Sequence, residues 1–494
     1  MKILSAQQIH RWDAYTIANE PIDSIDLMER AASACTDYIV QQELLDRPFK
    51  IFCGKGNNGG DGLAIARQLL GQDYNVSVYI IEFGAVGTGD FQTNLQRLHA
   101  LNAGLHFIQS EEFFPLINEG DVVIDALYGS GLNRPLKELS AALVDHINQS
   151  KALVIAIDVP SGMFIDKSSI GNAVITAGVT LTFQCFKLCF LVAENAAYFG
   201  NLHILDIGLH SSFTQDIEST FEVITQQTIQ EIYKPRKPFS HKGNFGHALI
   251  IAGNAGKMGA ALMATGSCLR TGAGLTTVNI PSAYLNAVHV KLPEAMCQLR
   301  EQGLNFENIT SVGIGPGLGT EQDALQLVEQ TLNEFKAAMI VDADALNIIS
   351  RNKRLLQQLS EEAILTPHPK EFERLFGKAE NDFERISNTL QQSMQYNCII
   401  ILKGRYTLVA QNGKGWFNIT GNAGLAKGGS GDILTGILTA LIAQKYQPLQ
   451  AALLGVYLHG TAADLALQTQ SRESMLASDV AAYLGEAFKS ILIQ

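Results

Sequence analysis

The sequence predicts an α/β protein with two domains in tandem, each a mostly parallel sheet covered by helices. Three observations predict it. Short apolar runs alternate with helix-periodic stretches through both halves, the signature of βα units. At 494 residues the chain is long enough to bury more than one core. The alternation lapses once, across 211–244, where "SSFTQDIESTFEVITQQTIQEIYKPRKPFSHKGN" mixes polar residues with Pro235 and Pro238 and sustains no core pattern. The expected division is a domain over 1–212, a linker over 213–237 and a second domain over 238–494.

The opening stretch, "SAQQIHRWDAYTIANE" through "IDLMERAASACTDYIVQQ", has helical spacing and precedes the first sheet. Strands are then expected at "FKIFCG", "NVSVYII", "GDVVIDAL", "ALVIAIDVP", "AVITAGVTLTF" and "LHILDI", each rich in β-branched or aromatic residues. In the second half they are expected at "HALIIAG", "GLTTVNI", "ITSVGIG", "AAMIVDAD", "AILTP" and "NCIIILKG". Two alternating runs around Asn412-Gly413 form a hairpin signal. The chain closes on the glycine-rich "GNAGLAKGGSGDILTGILTALIAQ" and a long apolar helical region.

Composition narrows the class. Acidic residues exceed basic ones by 48 to 36, with no dense Lys/Arg run, which excludes a nucleic-acid partner as the expectation. Seven scattered cysteines, an odd number, suit reduced thiols rather than a disulfide framework. "MKILSAQQIHRWDAYT" lacks the apolar core of a signal peptide, and no run of about eighteen uncharged apolar residues occurs. A cytoplasmic protein with no membrane partner is expected.

The strand-to-helix loops carry the chemistry. Gly54, Gly56 and Gly59 spell G-x-G-x-x-G after a strand, with Glu82 at the end of a later one, the pattern of a dinucleotide loop. The same glycines also suit plain helix-on-sheet packing, and Asp61 a helix cap. Yet the loop runs on as Asn57-Asn58-Gly59-Gly60-Asp61, more polar than a pyrophosphate cradle requires. "VVIDALYGSGLNRP" and "VIAIDVPSG" put Asp125 and Asp158 at strand ends before further glycine turns. Carboxyl ends of parallel strands gather along one edge, so Asn58, Asp125, Asp158 and Ser161 can converge into a pocket of oxygen donors suited to a hard cation. In the second half, Gly428, Gly429 and Gly431 expose backbone N–H groups at a helix start, an anion site. Asp432 beside that nest suggests a base that activates a hydroxyl toward phosphorus. His368 and Lys403 end strand-like runs and can face the same nucleotide.

The order N-N-G-G-D-G, "GSGLNRP", "AIDVPSG", with "LMERAA" before it, resembles the N-terminal half of the bifunctional NAD(P)H-hydrate repair enzymes. The second half is similar to their dehydratase domain through "KGNFGHALIIAGNAGKMGAA", "SVGIGPGLG", "LTPHPKEFERL", "ILKG" and "GGSGDILTG". Ser430 stands where threonine is common and Ala423 where proline is. The resemblance implies a Rossmann-like domain that interconverts the R and S epimers of NADH or NADPH hydrated at C6. It also implies a ribokinase-like domain that dehydrates the S form, with ADP as co-substrate in bacterial members and ATP in eukaryotic ones.

On this chain the epimerase substrate loops fall on Asn57, Asn58, Gly59, Gly60 and Asp61 and on Gly129, Ser130, Gly131, Leu132, Asn133, Arg134 and Pro135. Potassium ligands fall on Asn58, Asp125 and Ser161, and the substrate and acid–base position on Asp158. Hydrate positions of the dehydratase fall on Ala260, Gly317 and His368. Nucleotide positions fall on Lys403, Gly404, Arg405, Tyr406 and Thr407, and on Asn422, Ala423, Gly424, Leu425, Ala426, Lys427, Gly428, Gly429, Ser430 and Gly431; Asp432 takes the catalytic place. The family thus implies NAD(P)H hydrates and ADP as ligands, K⁺ and Mg²⁺ as ions, and a homo-oligomer as the assembly.

The chemistry the resemblance implies is coherent. Hydroxide leaves poorly and phosphate well, so phosphoryl transfer from ADP onto the C6 hydroxyl gives AMP and an intermediate that expels phosphate with help from the ring nitrogen. Two rival classes share parts of the pattern: a ribokinase-type kinase that releases its phosphorylated product intact, and a nucleotide sensor. A sensor has no need of Asp125, Asp158 and Asp432 together.

Overall fold

The computed structural model describes residues 1–101, 103–361 and 363–492. The chain forms two compact units, one of Lys2–Ser219 with Asn381–Phe383, the other of Met1, Thr220–Glu380 and Glu384 onward.

In the N-terminal unit seven strands, β1 (Phe49–Cys53), β2 (Val76–Ile81), β3 (Gly104–Ile108), β4 (Val122–Ala126), β5 (Leu153–Ile157), β6 (Val179–Phe183) and β7 (Asn201–Leu205), form one parallel sheet in the order β3-β2-β1-β4-β5-β6-β7. The order reverses between β1 and β4, which opens a crevice at their carboxyl ends. Helices bury both faces, so the inner strands read as continuous apolar runs; all five residues of β4 are buried, Asp125 among them. Strand β3 was not legible as an apolar run because it is an edge strand with several exposed residues.

The helix Asn57–Leu70 starts directly after the glycine loop and crosses β1. A Cβ on Gly54 would strike the Leu127 carbonyl, and one on Gly59 the Gly54 carbonyl, so these two glycines serve close packing. Gly56 has open space around it. Glu82, the acid of the dinucleotide pattern, is instead paired with Lys55 and accepts from the Gly84 N–H at 2.7 Å.

The second unit holds β8 (Phe221–Val223), β9 (His247–Ile251), β10 (Leu275–Ile280), β11 (Met296–Leu299), β12 (Ser311–Ile314), β13 (Met339–Val341), β14 (Ile364–Leu365), β15 (Ile399–Leu402), β16 (Thr407–Gln411) and β17 (Lys414–Asn418). Their order is β8-β17-β16-β15-β14-β13-β12-β9-β10-β11. The run from β15 to β11 is parallel, and β15-β16-β17 is an antiparallel meander whose β16-β17 turn is the Asn412-Gly413 hairpin. The order reverses at β9, again marking a ligand edge. The apolar helices Ser430–Ala443 and Pro448–Ala466 supply much of the core.

The segment 213–237 is not a free linker. Residues 221–223 pair with β17, the helix Gln226–Ile232 follows, and Ile224, Ile229 and Ile232 sit in the second unit's core. Three short elements with one buried residue here and there leave no periodic signal. Phe213 stacks on Trp12 with ring centroids 5.9 Å apart, so the N-terminal unit also runs past residue 212.

Candidate active sites

At the reversal point of the first sheet lies a cavity of about 580 Å³. The helix start supplies Asn57, Asn58 and Asp61, the loop after β4 supplies Gly129 to Arg134, and the turn after β5 supplies Asp158. Gly59, Gly60 and Pro135 do not line it; Gly60 makes room for the Met28 side chain. Among the lining residues that no loop motif marks are two charged side chains close to Asp158: Asp13, from the helix Ala6–Asn19, and Lys187, four residues beyond β6.

Asp158 has φ +65°, a left-handed backbone that Asp tolerates better than most side chains. The turn aims its carboxylate at two donors. Oδ1 lies 2.9 Å from the Lys187 ammonium, and Oδ2 accepts from the Ser130 N–H at 2.9 Å. Lys187 also donates to Thr182 Oγ1 at 2.6 Å and to the Phe183 carbonyl at 3.3 Å. Burial pushes the Asp158 carboxyl up, but Lys187 and the Ser130 N–H outweigh it and hold the group below the ordinary carboxylate range.

The neighbouring acids go the other way. Burial, and then the charge of Asp158, push Asp13 up to about 7. Asp61 is pushed well above its ordinary value by burial and by Asp158, Asp13 and Asp90. One pocket therefore holds a carboxyl pushed down beside two pushed up.

Beneath the cavity, Asp125 and Ser161 lock two strand ends together. Asp125 accepts from Ser161 N–H at 2.8 Å and Ser161 Oγ at 2.5 Å, and from the Leu127 N–H at 3.2 Å. Burial raises the Asp125 carboxyl to about 6 against these bonds. The buried Asn58 amide has no hydrogen-bond partner at either its oxygen or its nitrogen. A Cβ on Gly129 would meet both Asp158 Oδ2, at 2.9 Å, and Asn58 Oδ1, at 3.2 Å, so that glycine admits the two side chains to one spot.

In the second unit the carboxyl ends of β12 to β15 carry Gly315–Gly317, Asp342, His368 and Lys403. Lys403 Nζ is 2.8 Å from Asp342 Oδ1 and 4.0 Å from Glu371 Oε2. The other Asp342 oxygen accepts from Thr435 Oγ1 at 2.8 Å, which ties the pair to the helix Ser430–Ala443. That helix starts at Gly429, whose φ of +96° and contact with Met263 require glycine. A Cβ on Gly431 would lie 3.3 Å from Lys403 Nζ and 3.5 Å from Asp342 Oδ2, so the helix start abuts the ion pair. Asp432, in the first turn, is pushed up to about 7 by burial and then by Asp342, with Lys403 opposing.

Arg405 donates to the Gly421 carbonyl at 2.7 Å, joining the Lys403–Thr407 turn to the Asn422–Gly431 loop. Asn422 is held by Asp464, 2.9 Å away, and Lys427 by the Met475 carbonyl. Gly317, at φ +60°, lies against Ala260: a Cβ there would approach the Ala260 methyl to 2.9 Å. His368 caps the helix Pro369–Phe376 through Nδ1, which accepts from the Lys370 and Glu371 N–H groups. Burial, and then Lys403 nearby, lower its pKa. Sequence reasoning missed Asp342, Glu371 and Asp464 here. Asp342 ends the strand "AAMIVDAD" and carried the same signal that picked out Asp125 and Asp158.

Residues 24–189 match the family model described as "YjeF-related protein N-terminus", and residues 248–485 match that of NAD(P)H-hydrate dehydratase. A bifunctional NAD(P)H-hydrate repair enzyme of Moorella thermoacetica is 32% identical, the match covering 99% of this chain and 97% of the relative. Among solved structures, a ribokinase-like superfamily protein of Enterococcus faecalis superposes with a TM-score of 0.51 at 28% identity, over 56% of this chain and 98% of its own. An ADP/ATP-dependent NAD(P)H-hydrate dehydratase of Bacillus subtilis does so with 0.50 at 31% identity, over 55% and 98%. A Rossmann-like sheet with a carboxylate-lined cavity and a ribokinase-like sheet with a carboxylate at a glycine-led helix define a two-site α/β enzyme. The chain belongs to the family of bifunctional NAD(P)H-hydrate repair enzymes.

Proposed function

We infer that the chain repairs hydrated NADH and NADPH at two sites. The N-terminal unit epimerises the hydrate at C6. The C-terminal unit dehydrates the S epimer with ADP, releasing AMP and phosphate. The observation that carries this reading is that each half places an acid of the family's motifs at the carboxyl edge of its sheet, Asp158 lining the first cavity and Asp432 in the first turn of the glycine-led helix.

In the first site Asp158, ionised beside Lys187, is the proton acceptor, and the Asn57–Asp61 and Gly129–Arg134 loops hold the hydrate. Asn58, Asp125 and Ser161 would hold K⁺. The unpartnered Asn58 amide fits that role, since its oxygen is a hard donor with nothing else to bind. The ion would supply positive charge that fixes the loop.

In the second site the nest from Gly428 to Gly431 and the helix dipole receive the transferring phosphoryl group, and Lys403 faces it. Asp432 takes the proton of the C6 hydroxyl. Ala260, Gly317 and His368 border the hydrate, and the Lys403–Thr407 and Asn422–Gly431 segments border the nucleotide. Among the described residues no three His, Cys, Asp or Glu side chains are grouped to hold a metal ion, so Mg²⁺ would arrive on the nucleotide phosphates and neutralise charge there. The B. subtilis relative, co-crystallised with ATP and Mg²⁺, supports a nucleotide carrying that ion.

The test is incubation of the purified chain with mixed R and S hydrates, with and without ADP or ATP. Interconversion without nucleotide, and nucleotide-dependent return of reduced-nicotinamide absorbance with free phosphate, are expected. A phosphorylated product that persists would make the second unit a kinase instead.

A further inference from the structure

Asp13 faces the N-terminal cavity from the helix Ala6–Asn19, outside every loop motif. Among the described residues its carboxyl makes no hydrogen bond or ion pair. Asp158, in the same cavity, has both oxygens engaged by Lys187 and Ser130. An unengaged, partly buried acid at the edge of a ligand site costs stability unless it works on the ligand.

We propose that Asp13 is the second catalytic residue of epimerisation, the proton donor that works with Asp158 in the same cavity. The proposal rests on the epimerase reading of the N-terminal unit.

The hydrate requires two such groups. Its C6 carries a hydroxyl and is bonded to the ring nitrogen N1, so inversion can proceed by ring opening. Asp158 takes the hydroxyl proton, the O–H electrons form C6=O, and the C6–N1 bond breaks. The electron pair left on N1 takes the proton of Asp13. Rotation about C5–C6 then presents the other face of the aldehyde. In closure N1 attacks C6 and returns its proton to Asp13, while Asp158 returns its proton to oxygen. Nothing is oxidised or reduced, and only the configuration at C6 changes.

Asp13, raised to about 7 by burial and then by Asp158, can give its proton away and recover it. The ionisable groups facing the cavity around Asp13 are His10 on its own helix, Asp61, Asp90, Tyr128, Arg134, Asp158, Cys185 and Lys187.

The experiment uses the full chain, with interconversion of purified R and S hydrates as one readout and ADP-dependent dehydration of pure S hydrate as the other. Asp13→Asn should lower epimerisation by about 10²–10⁴-fold and leave dehydration unchanged. Asp13→Glu, which keeps the acid, should recover part of the loss. The wild-type epimerisation rate should fall above pH ~7 as Asp13 ionises, and the residual rate of Asp13→Asn should lack that limb. Epimerisation by Asp13→Asn within about threefold of wild type, against the 10²-fold floor expected of a proton-transfer group, would overturn the proposal alone. A wild-type chain that does not epimerise would overturn the underlying reading and the proposal with it. Should Asp13→Asn not fold, a wild-type profile without the alkaline limb would overturn it.

Discussion

The Lys187 ammonium lies 2.9 Å from the Asp158 carboxylate, with the lysine side chain 1% exposed and the aspartate 10%. Each ion is tolerable in that setting only because the other is there. Lys187→Met should therefore lower stability by about 3–5 kcal/mol, the scale for a buried pair that loses one partner. It should also abolish epimerisation at neutral pH, because the isolated Asp158 would take up a proton. Urea denaturation alongside hydrate interconversion measures both.

Asp158→Asn separates the base from the turn. Asparagine accepts the left-handed backbone at φ +65° and still accepts from Ser130. It cannot take a proton, so epimerisation should fall by roughly 10²–10⁴-fold, while dehydration of pure S hydrate persists. Normal epimerisation would leave Asp158 as a structural anchor only.

Asp432→Asn makes the corresponding cut in the second unit. Nucleotide affinity should hold or rise as repulsion beside the nest falls, and ADP-dependent dehydration should drop by about 10²–10⁴-fold. Stability gives a second readout. The folded state keeps Asp432 protonated up to about pH 7, whereas the unfolded chain loses that proton near pH ~4. Between those values the folded state binds more protons, so the wild type loses stability as pH rises. Asp432→Asn should lack that loss, and the gap in thermal midpoint should open from pH 4 upward and level off above 7.

Epimerisation should depend on K⁺ through Asn58. Exchange of K⁺ for tetramethylammonium should slow the wild type, and Asn58→Ala should be slow in both salts. A variant still accelerated by K⁺ would place the ion elsewhere. Tryptophan fluorescence on K⁺ titration supplies a readout independent of turnover, since Trp12 lines the same cavity.

Thiol chemistry should be irrelevant to both reactions. Six of the seven cysteines are buried and only Cys297 is partly exposed. Burial pushes the Cys268 and Cys398 thiols up to about 12, so they stay protonated and unreactive. An alkylating reagent should label Cys297 first, and Cys297→Ser should keep both activities. Loss of either activity on that substitution would reveal a thiol role.

The sequence by itself determined the two βα series, the glycine loops and the acids at strand ends. Each is local: an apolar run makes the strand, a glycine the turn, and the residue after the last apolar one lands at the ligand edge. Thus Asp125, Asp158, Lys403 and Asp432 were visible as candidates. Strands β3, β8 and β11 were not, because short or edge strands are held by pairing with neighbours rather than by their own apolar pattern. Only the tertiary structure brought Asp13 and Lys187 to Asp158, 145 and 29 residues away along the chain, or Thr435 to Asp342 across 93 residues. It also decided which way each acid is pushed. Lys187 and the Ser130 N–H hold Asp158 down against burial, while burial and Asp158 push Asp13 up, and these effects act through space, where sequence separation carries no information.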